Sequence, residues 1–133
     1  MQLQLKYSKI IPPNWFYAIT IFNKLYRREK YKNKPISKIT YNHESIHLQQ
    51  ELDFVFGCEK LYILGGCIFY ILYFIEWLIK AIISLFTGFK IKAYYSISFE
   101  QEAYKNQKDL NYLKTRKRFS WIKNIFKVIW QTS

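Results

Sequence analysis

The stretch YNHESIHLQQELDF, residues 41–54, contains both histidines of the chain, His43 and His47, with Glu44 directly after the first. Residues four apart lie on one face of an α-helix, about a turn from each other, so both imidazoles could bind one metal ion. A glutamate in the second position of such an H-E-x-x-H motif could accept a proton from water held by that ion. The motif predicts a helix with two metal ligands and a catalytic base. The alternative is a chance pair of histidines on a surface helix.

The composition indicates one folded domain, residues 1–133, with a basic surface. Half of the residues are hydrophobic and 20% are aromatic, which excludes a disordered chain and allows a sizeable core. Lysine and arginine outnumber aspartate and glutamate by 21 to 9, for a net charge of +12. Such a charge suits an anionic partner, either a membrane face or a nucleic acid.

Neither the cysteines nor the N-terminal residues indicate export. Cys58 and Cys67 are too few for a disulfide framework, and we expect them to be small buried hydrophobic side chains. The first residues, MQLQLKYSKIIPPNWF, lack the basic-then-apolar order of a secretory signal. We therefore expect the protein on the cytoplasmic side.

The pattern along the first half predicts an α+β fold that is mainly α. Aromatic and β-branched residues at 15–28 indicate a strand of a small N-terminal sheet. A helix then follows Pro35 over residues 36–57, with Ser37 or Thr40 as its cap. This helix carries the H-E-x-x-H motif.

The second half begins with a long apolar segment, residues 61–89, which we expect to be helical. Residues 90–98 are predicted to be extended. Ser98, with Gln101 three positions later, indicates a capping box, so a second helix is predicted over 98–118. Apolar residues recur at a helical period in 119–133 with lysines between them, which predicts a basic amphipathic tail.

A catalytic zinc usually has three protein ligands, so an acidic third ligand is expected. Asp53 lies six residues after His47, and about 600° of helical rotation turns it away from that histidine unless a glycine ends the helix between them. The intermediate position is Gln50. Glu51 lies on the correct face but about 12 Å along the axis from His43, too far to share an ion. The third ligand must therefore come from another segment.

The stretch SFEQEAY, residues 98–104, supplies the remaining candidates, Glu100 and Glu102. They are two residues apart, about 200° around a helix, so only one can face the metal. Ala103, three residues after Glu100, is small and would let two helices approach closely on that face. This favours Glu100 and leaves Glu102 as the second choice.

NHESIH followed far downstream by FEQEAY resembles the gluzincin metallopeptidases, with H-E-x-x-H on one helix and the glutamate of E-x-x-A on a later one. Over residues 15–110 the chain is similar to abridged gluzincins, which include membrane-linked members of the prenyl-protease type and small bacterial zincin-like proteins. The resemblance implies a zinc ion held by His43, His47 and Glu100, with Glu44 as general base.

The resemblance also implies that residues 17–27 form an edge strand that could pair with an extended peptide substrate. The chain departs from the prenyl-protease type at Tyr104, where that type has aspartate, and it has no separate substrate domain. Four tyrosines are candidate donors to the oxyanion of the tetrahedral intermediate. They are Tyr41, Tyr94, Tyr95 and Tyr104.

The apolar segment 61–89 has only two charges, Glu76 and Lys80, which can pair with each other or, for Glu76, support the site from behind. Because His47 and Glu100 must meet, both ends of the segment must lie on one side of any membrane. We therefore expect a pair of helices, half in the core and half embedded in one leaflet at the cytoplasmic face, with Trp121 and Trp130 of the tail as a second contact. An ordinary soluble core is the alternative.

These features predict a zinc-dependent metallopeptidase that cleaves peptide or protein substrates at or near an anionic membrane surface. One alternative is a catalytically inactive protein of the same fold that serves as a partner at the membrane. A basic nucleic-acid-binding module is less expected, because the positive charges are scattered and no binding motif accompanies them.

Overall fold

The computed structural model describes residues 1–132 and has a small N-terminal sheet followed by helices. The α+β, mainly α class is thereby confirmed. The strands are β1 (Gln4–Ser8), β2 (Ala18–Ile21) and β3 (Lys24–Arg28). The α-helices are α1 (Lys38–Asp53), α2 (Tyr62–Phe86), α3 (Ser98–Asn106) and α4 (Tyr112–Thr115). Short 3-10 helices lie at Glu29–Tyr31, Glu59–Leu61, Tyr94–Ser96 and Ser120–Asn124.

The strand order in the sheet is β1-β3-β2, with β1 parallel and β2 antiparallel to β3. The prediction of one strand over 15–28 is wrong, because the chain reverses at Phe22 and Asn23 and forms a hairpin. Phe22 has a positive φ of 54°, and Asn23 after it is a residue type that tolerates tight turns. The aromatic and β-branched residues around them did not indicate this reversal. The hairpin leaves β2 at the edge of the sheet.

Helix α1 begins as predicted after Ser37, whose side chain accepts the N–H of Thr40 at 3.0 Å. It ends at Asp53 rather than at residue 57. The N–H of Gly57 donates back to the carbonyl of Leu52, and Gly57 has a φ of 78°, which glycine adopts without strain. The last predicted turn of the helix is therefore the loop that redirects the chain.

Helix α2 is one continuous helix of 25 residues, so the expectation of a helix pair is wrong. Two adjacent glycines near its start allow α1 and the hairpin to approach closely. A Cβ at Gly65 would lie 2.4 Å from the carbonyl oxygen of Glu51, and one at Gly66 would lie 2.4 Å from the ring of Phe22. The glycines that could have broken the helix instead permit its packing.

After α2 the chain turns back and runs along the same helix. Ser84 donates to the carbonyl of Ile91, and Glu76 accepts from both the N–H and the hydroxyl of Ser98. The prediction that 90–98 is extended holds only at Ile91, which pairs with Trp130, because Tyr94–Ser96 forms a 3-10 turn. The returning segment brings α3 against α1.

The predicted helix over 98–118 is interrupted, since α3 ends at Asn106. The amide of Asn42 donates to the carbonyls of Asn106, Gln107 and Asp109, which satisfies the end of the helix. The predicted capping role of Ser98 is also wrong: Ile97 precedes the helix, and the Ser98 hydroxyl instead donates to Glu76.

The tail is not the predicted amphipathic α-helix. After the 3-10 turn Ser120–Asn124 the backbone is irregular as far as the bridge at Trp130, and Ser133 lies outside the described residues. Trp121 packs into a buried cluster with Phe69, Ile97 and Phe99. The cysteine expectation is wrong as well, because both cysteines are exposed.

Candidate metal centre

The structure brings together the three side chains singled out as metal ligands. His43 and His47 lie on α1, Glu100 lies on α3, and all three are buried. The Nε2 atoms of the histidines are 3.1 Å apart, and Glu100 places Oε2 at 3.3 Å from His43 and Oε1 at 3.3 Å from His47. The ligand atoms of the three residues all lie within 4.8 Å of one another. Residues 53 positions apart in the chain thus converge on one point.

These separations fit a zinc ion. Zinc binds imidazole nitrogen and carboxylate oxygen at about 2.0–2.2 Å, and a tetrahedral arrangement then places its ligand atoms about 3.4 Å apart. The histidine nitrogens are 3.1 Å apart and each is 3.3 Å from a different oxygen of Glu100, while one ligand atom from each residue gives separations within 4.8 Å. An ion can therefore enter without a large movement of α1 relative to α3.

A glutamine orients the second histidine. Gln50 Nε2 donates to the carbonyl of Phe99 at 3.0 Å and to Glu102 at 2.9 Å, which assigns Gln50 Oε1 as the atom 2.7 Å from His47 Nδ1. An amide oxygen only accepts hydrogen bonds, so His47 Nδ1 carries the hydrogen. The Nε2 atom of His47 consequently presents a lone pair to the cluster.

His43 has its Nδ1 atom 3.0 Å from Gln107 Oε1, and a hydrogen donated to this oxygen leaves the Nε2 lone pair of His43 facing the cluster. Two imidazole lone pairs and a carboxylate therefore face one another, and such a set of acceptors is stable only with a cation between them. In the apoprotein a proton takes this place. Burial acts to lower the pKa of His47, but the nearby Glu100 carboxylate, with Glu44 and Gln50, raises it to about 9.

Glu100 is positioned by α2 as well as by α3. The Tyr73 hydroxyl donates to Glu100 Oε1 at 2.7 Å. Burial raises the pKa of Tyr73, and the Glu100 carboxylate raises it further, so this hydroxyl remains a donor. Sequence reasoning missed Tyr73 because it lies within the apolar segment. The available signal was its place in a stripe of residues with polar tips at helical spacing: Tyr70, Tyr73, Glu76, Lys80 and Ser84.

Glu102, the second choice for the third ligand, points away from the histidines. Arg116 binds Glu102 and also makes two hydrogen bonds to Asp53, at 2.7 and 3.0 Å. Tyr112 donates to Glu102 at 2.7 Å. Asp53 and Glu102 are thus both paired with the buried guanidinium of Arg116, on the side of α1 and α3 away from the histidine cluster. Through Gln50, this ion-pair cluster is connected to His47.

Glu44 lies where two cavities meet beside the histidines. One cavity, of about 400 Å³, is lined by residues of β2, α1 and α2 and by Glu100, and most of its wall is aromatic or aliphatic. The other, of about 620 Å³, is bordered by Trp15, His43, Tyr104 and Gln107. Glu44 and Tyr94 line both cavities, as do Phe16 and Ala18 at the start of the edge strand. Together they form a groove that passes Glu44.

The four tyrosines considered as oxyanion donors are placed differently. Tyr41 donates to the carbonyl of Leu3 and faces the sheet, so it is not at the site. Tyr94 faces Glu100, while the ring of Tyr104 packs on His43 with ring centres 4.6 Å apart. Burial, followed by Glu100, raises the pKa of Tyr104 to about 12. Tyr95 packs on Tyr104 at the edge of the larger cavity.

Glu51 lines the smaller cavity but contacts Tyr70 rather than the histidines, as its position along α1 predicted. Burial raises the pKa of Glu51 to about 7. The Tyr70 hydroxyl, 2.9 Å from Glu51, also donates to the carbonyl of Thr20 and accepts from the N–H of Phe22. The edge of β2 is thus joined to α2 through one tyrosine.

The chain matches no protein-family model, no curated protein and no solved structure. What the site can do must therefore be inferred from its own atoms: two imidazoles and a carboxylate that converge on one point, with a second carboxylate, Glu44, beside them in an open groove.

Proposed function

We propose that this protein is a zinc-dependent hydrolase of peptide bonds, with His43, His47 and Glu100 as the metal ligands and Glu44 as the general base. The observation that carries the proposal is the convergence of two imidazole lone pairs and a buried carboxylate at zinc-ligand spacing. Three protein ligands leave a fourth position for water or substrate, which is typical of catalytic rather than structural zinc sites.

When bound, a zinc ion supplies a Lewis acid that polarises the substrate carbonyl and acidifies water. The protein's own groups carry the proton. Glu44 lies in the groove, next to the ligands but outside the cluster, where it can accept a proton from water and pass it to the leaving amine. The hydroxyls of Tyr94 and Tyr104 remain protonated and face the site, so either can donate to the developing oxyanion.

The groove supports a peptide as the substrate. It passes the start of β2, an edge strand, where an extended chain could pair before the point at which Tyr70 binds the Thr20 carbonyl and the Phe22 N–H. The 400 Å³ cavity beside Glu44 would take an apolar side chain of that peptide, since Phe69, Phe74 and Trp77 form part of its wall.

The test separates the ligands from the base. Protein purified without a histidine tag should contain about one zinc per chain by elemental analysis, and His47→Ala and Glu100→Gln should lose it. Glu44→Gln should keep its zinc but lose about 10² to 10⁴ in turnover of a cleaved peptide. Glu29→Gln, an exposed glutamate remote from the cluster, is the matched control and should behave like wild type.

Zinc content that survives both His47→Ala and Glu100→Gln would refute the ligand assignment. Turnover by Glu44→Gln at the wild-type rate would refute the hydrolytic mechanism. Stoichiometric zinc with no turnover over a broad peptide panel would instead support the catalytically inactive alternative.

A further inference from the structure

A stripe of polar side chains on α2 faces the protein. The stripe at Tyr70, Tyr73, Glu76, Lys80 and Ser84 follows a helical period, and each member hydrogen-bonds to another segment of the chain. Lys80, which is only 4% exposed, donates to the carbonyls of residues 125 and 127. Both charged side chains of the helix are therefore hydrogen-bonded on its inner face.

The opposite face of α2 is apolar and exposed. Because Glu76 and Lys80 are the only charged residues between Tyr62 and Phe86, this outer face carries no charge along the whole helix, about 37 Å. Soluble proteins rarely expose an apolar surface of this extent. We name this surface the outer face. Its exposed residues include Leu64, Ile71, Phe74, Ile75, Leu78, Ile82 and Leu85.

The helix is long and apolar enough to cross a membrane, with a mean hydropathy of 1.9 over its most apolar part. A crossing is nevertheless incompatible with what covers its inner face. Residues 91–98 and 120–130 pack along the second half of α2, contain Lys92, Lys123 and Lys127, and have largely irregular backbone. In a spanning orientation these charges and backbone groups would enter the hydrocarbon, where irregular backbone cannot be satisfied.

We infer that α2 lies parallel to the membrane plane, with the outer face inserted into one leaflet and the rest of the protein on the aqueous side. A second copy of the chain is the competing occupant of this surface. The net charge of +12 opposes self-association and favours anionic lipid headgroups. Burial of the outer face in lipid then supplies the apolar part of the free energy of membrane binding, and lysines at the protein surface supply the electrostatic part.

This orientation also constrains the substrate, a consequence that rests on the proposed function. Phe74 and Trp77 line the cavity beside Glu44, yet they are 59% and 39% exposed. The cavity therefore opens next to the outer face. A peptide bond that reaches Glu44 would lie close to the bilayer surface, as in the segment adjacent to a membrane anchor.

The first experiment measures flotation with preformed vesicles of phosphatidylcholine, with and without phosphatidylglycerol. Protein synthesised cell-free should float with the vesicles, more completely with the anionic lipid, and should resist a high-salt wash. Ile71→Asp combined with Ile75→Asp should reduce flotation about tenfold or more, because each aspartate must be buried in an apolar environment. Asn33→Asp with Gln131→Glu adds the same charge at exposed positions elsewhere and should float like wild type.

The second experiment distinguishes an α2 that lies in the membrane plane from an α2 that spans the membrane. Single cysteines at Lys60 and Lys90, which flank α2, are introduced after Cys58 and Cys67 are replaced by serine. Both should react with an impermeant maleimide outside the vesicles. Protection of one of them until detergent is added would overturn the inference, as would absence of flotation together with a soluble dimer. His47→Ala should still float, so failure of the zinc site and failure of membrane binding give different results.

Discussion

Replacing Glu51 with glutamine removes a carboxyl group that is 0% exposed and whose pKa burial raises from 4.5 to about 7. The raised pKa means that the folded structure favours the protonated, neutral form of Glu51. It can donate to the Tyr70 oxygen, which leaves the single hydrogen of Tyr70 free for the carbonyl of Thr20. Once ionised, Glu51 would accept that hydrogen and deprive Thr20 of its donor.

The sign of the pH dependence follows from the raised pKa. Below pH 4.5 Glu51 is neutral in both states and its full contribution to stability is present. As the pH rises to about 7 the unfolded chain ionises first, so the contribution is progressively lost. The pKa of Glu51 differs by about 2.5 between the unfolded and folded states, and each pKa unit corresponds to about 1.36 kcal/mol. The free energy of unfolding therefore falls by about 3 kcal/mol.

The assay is chemical denaturation of the zinc-free protein in nonionic detergent at pH 4 and pH 8. Relative to wild type, Glu51→Gln should gain about 3 kcal/mol of unfolding free energy between these two pH values. His47 titrates in both proteins, so only its weaker interaction with Glu51 differs between them. Glu29→Gln, at an exposed position, should show no such change. A wild-type minus Glu51→Gln difference that is independent of pH would refute the reasoning, since it would mean that Glu51 ionises as an exposed glutamate does.

Two further predictions concern the groups behind the metal ligands. Arg116→Met leaves two buried carboxylates unpaired and should lower the unfolding free energy by about 3–5 kcal/mol, whereas Arg118→Met should change it by less than about 1 kcal/mol. A loss below about 1 kcal/mol for Arg116→Met, measured by denaturation, would contradict the ion-pair cluster. Gln50→Leu removes the acceptor for His47 and should weaken zinc binding about 10- to 100-fold in chelator competition, with Gln49→Leu as the matched control. Equal zinc affinities for these two variants would show that the amide has no part in orienting the imidazole.

The parts of the structure that sequence reasoning anticipated are governed by short-range geometry. The spacing of His43 and His47 on a helix is enough to place both imidazoles on one face, and Ser37 caps that helix through an atom three residues away. Helical rotation of about 200° allows only one of Glu100 and Glu102 to face the metal, and the small Ala103 three residues later favours Glu100. Each of these inferences needs only the identity of a few neighbouring residues.

The parts of the structure that sequence reasoning missed depend on residues that are distant from each other in the chain. Asn42 ends α3 through carbonyls more than sixty residues away, and Arg116 pairs with Asp53 across a similar separation. The apolar pattern of 61–89 predicted a pair of helices, half in the core and half in one membrane leaflet, and did not show that one polar stripe suffices to dock a single continuous helix. Periodicity indicates which face is polar, while the group that meets that face is set by the fold.

The hydrogen bonds from Asn42 to the end of α3 have a consequence for the binding of the proposed zinc ion. Asn42 ties α1 to α3 on one side of the ligands, and Gln50 ties the same two helices on the other through Phe99 and Glu102. The distance between the helices is therefore set by the polypeptide before any ion arrives. The conformational entropy of assembling the ligands is lost on folding rather than on metal binding. Unlike a zinc finger, which unfolds when its metal is removed, this protein is expected to release zinc to a chelator and rebind it as a folded, preorganised scaffold.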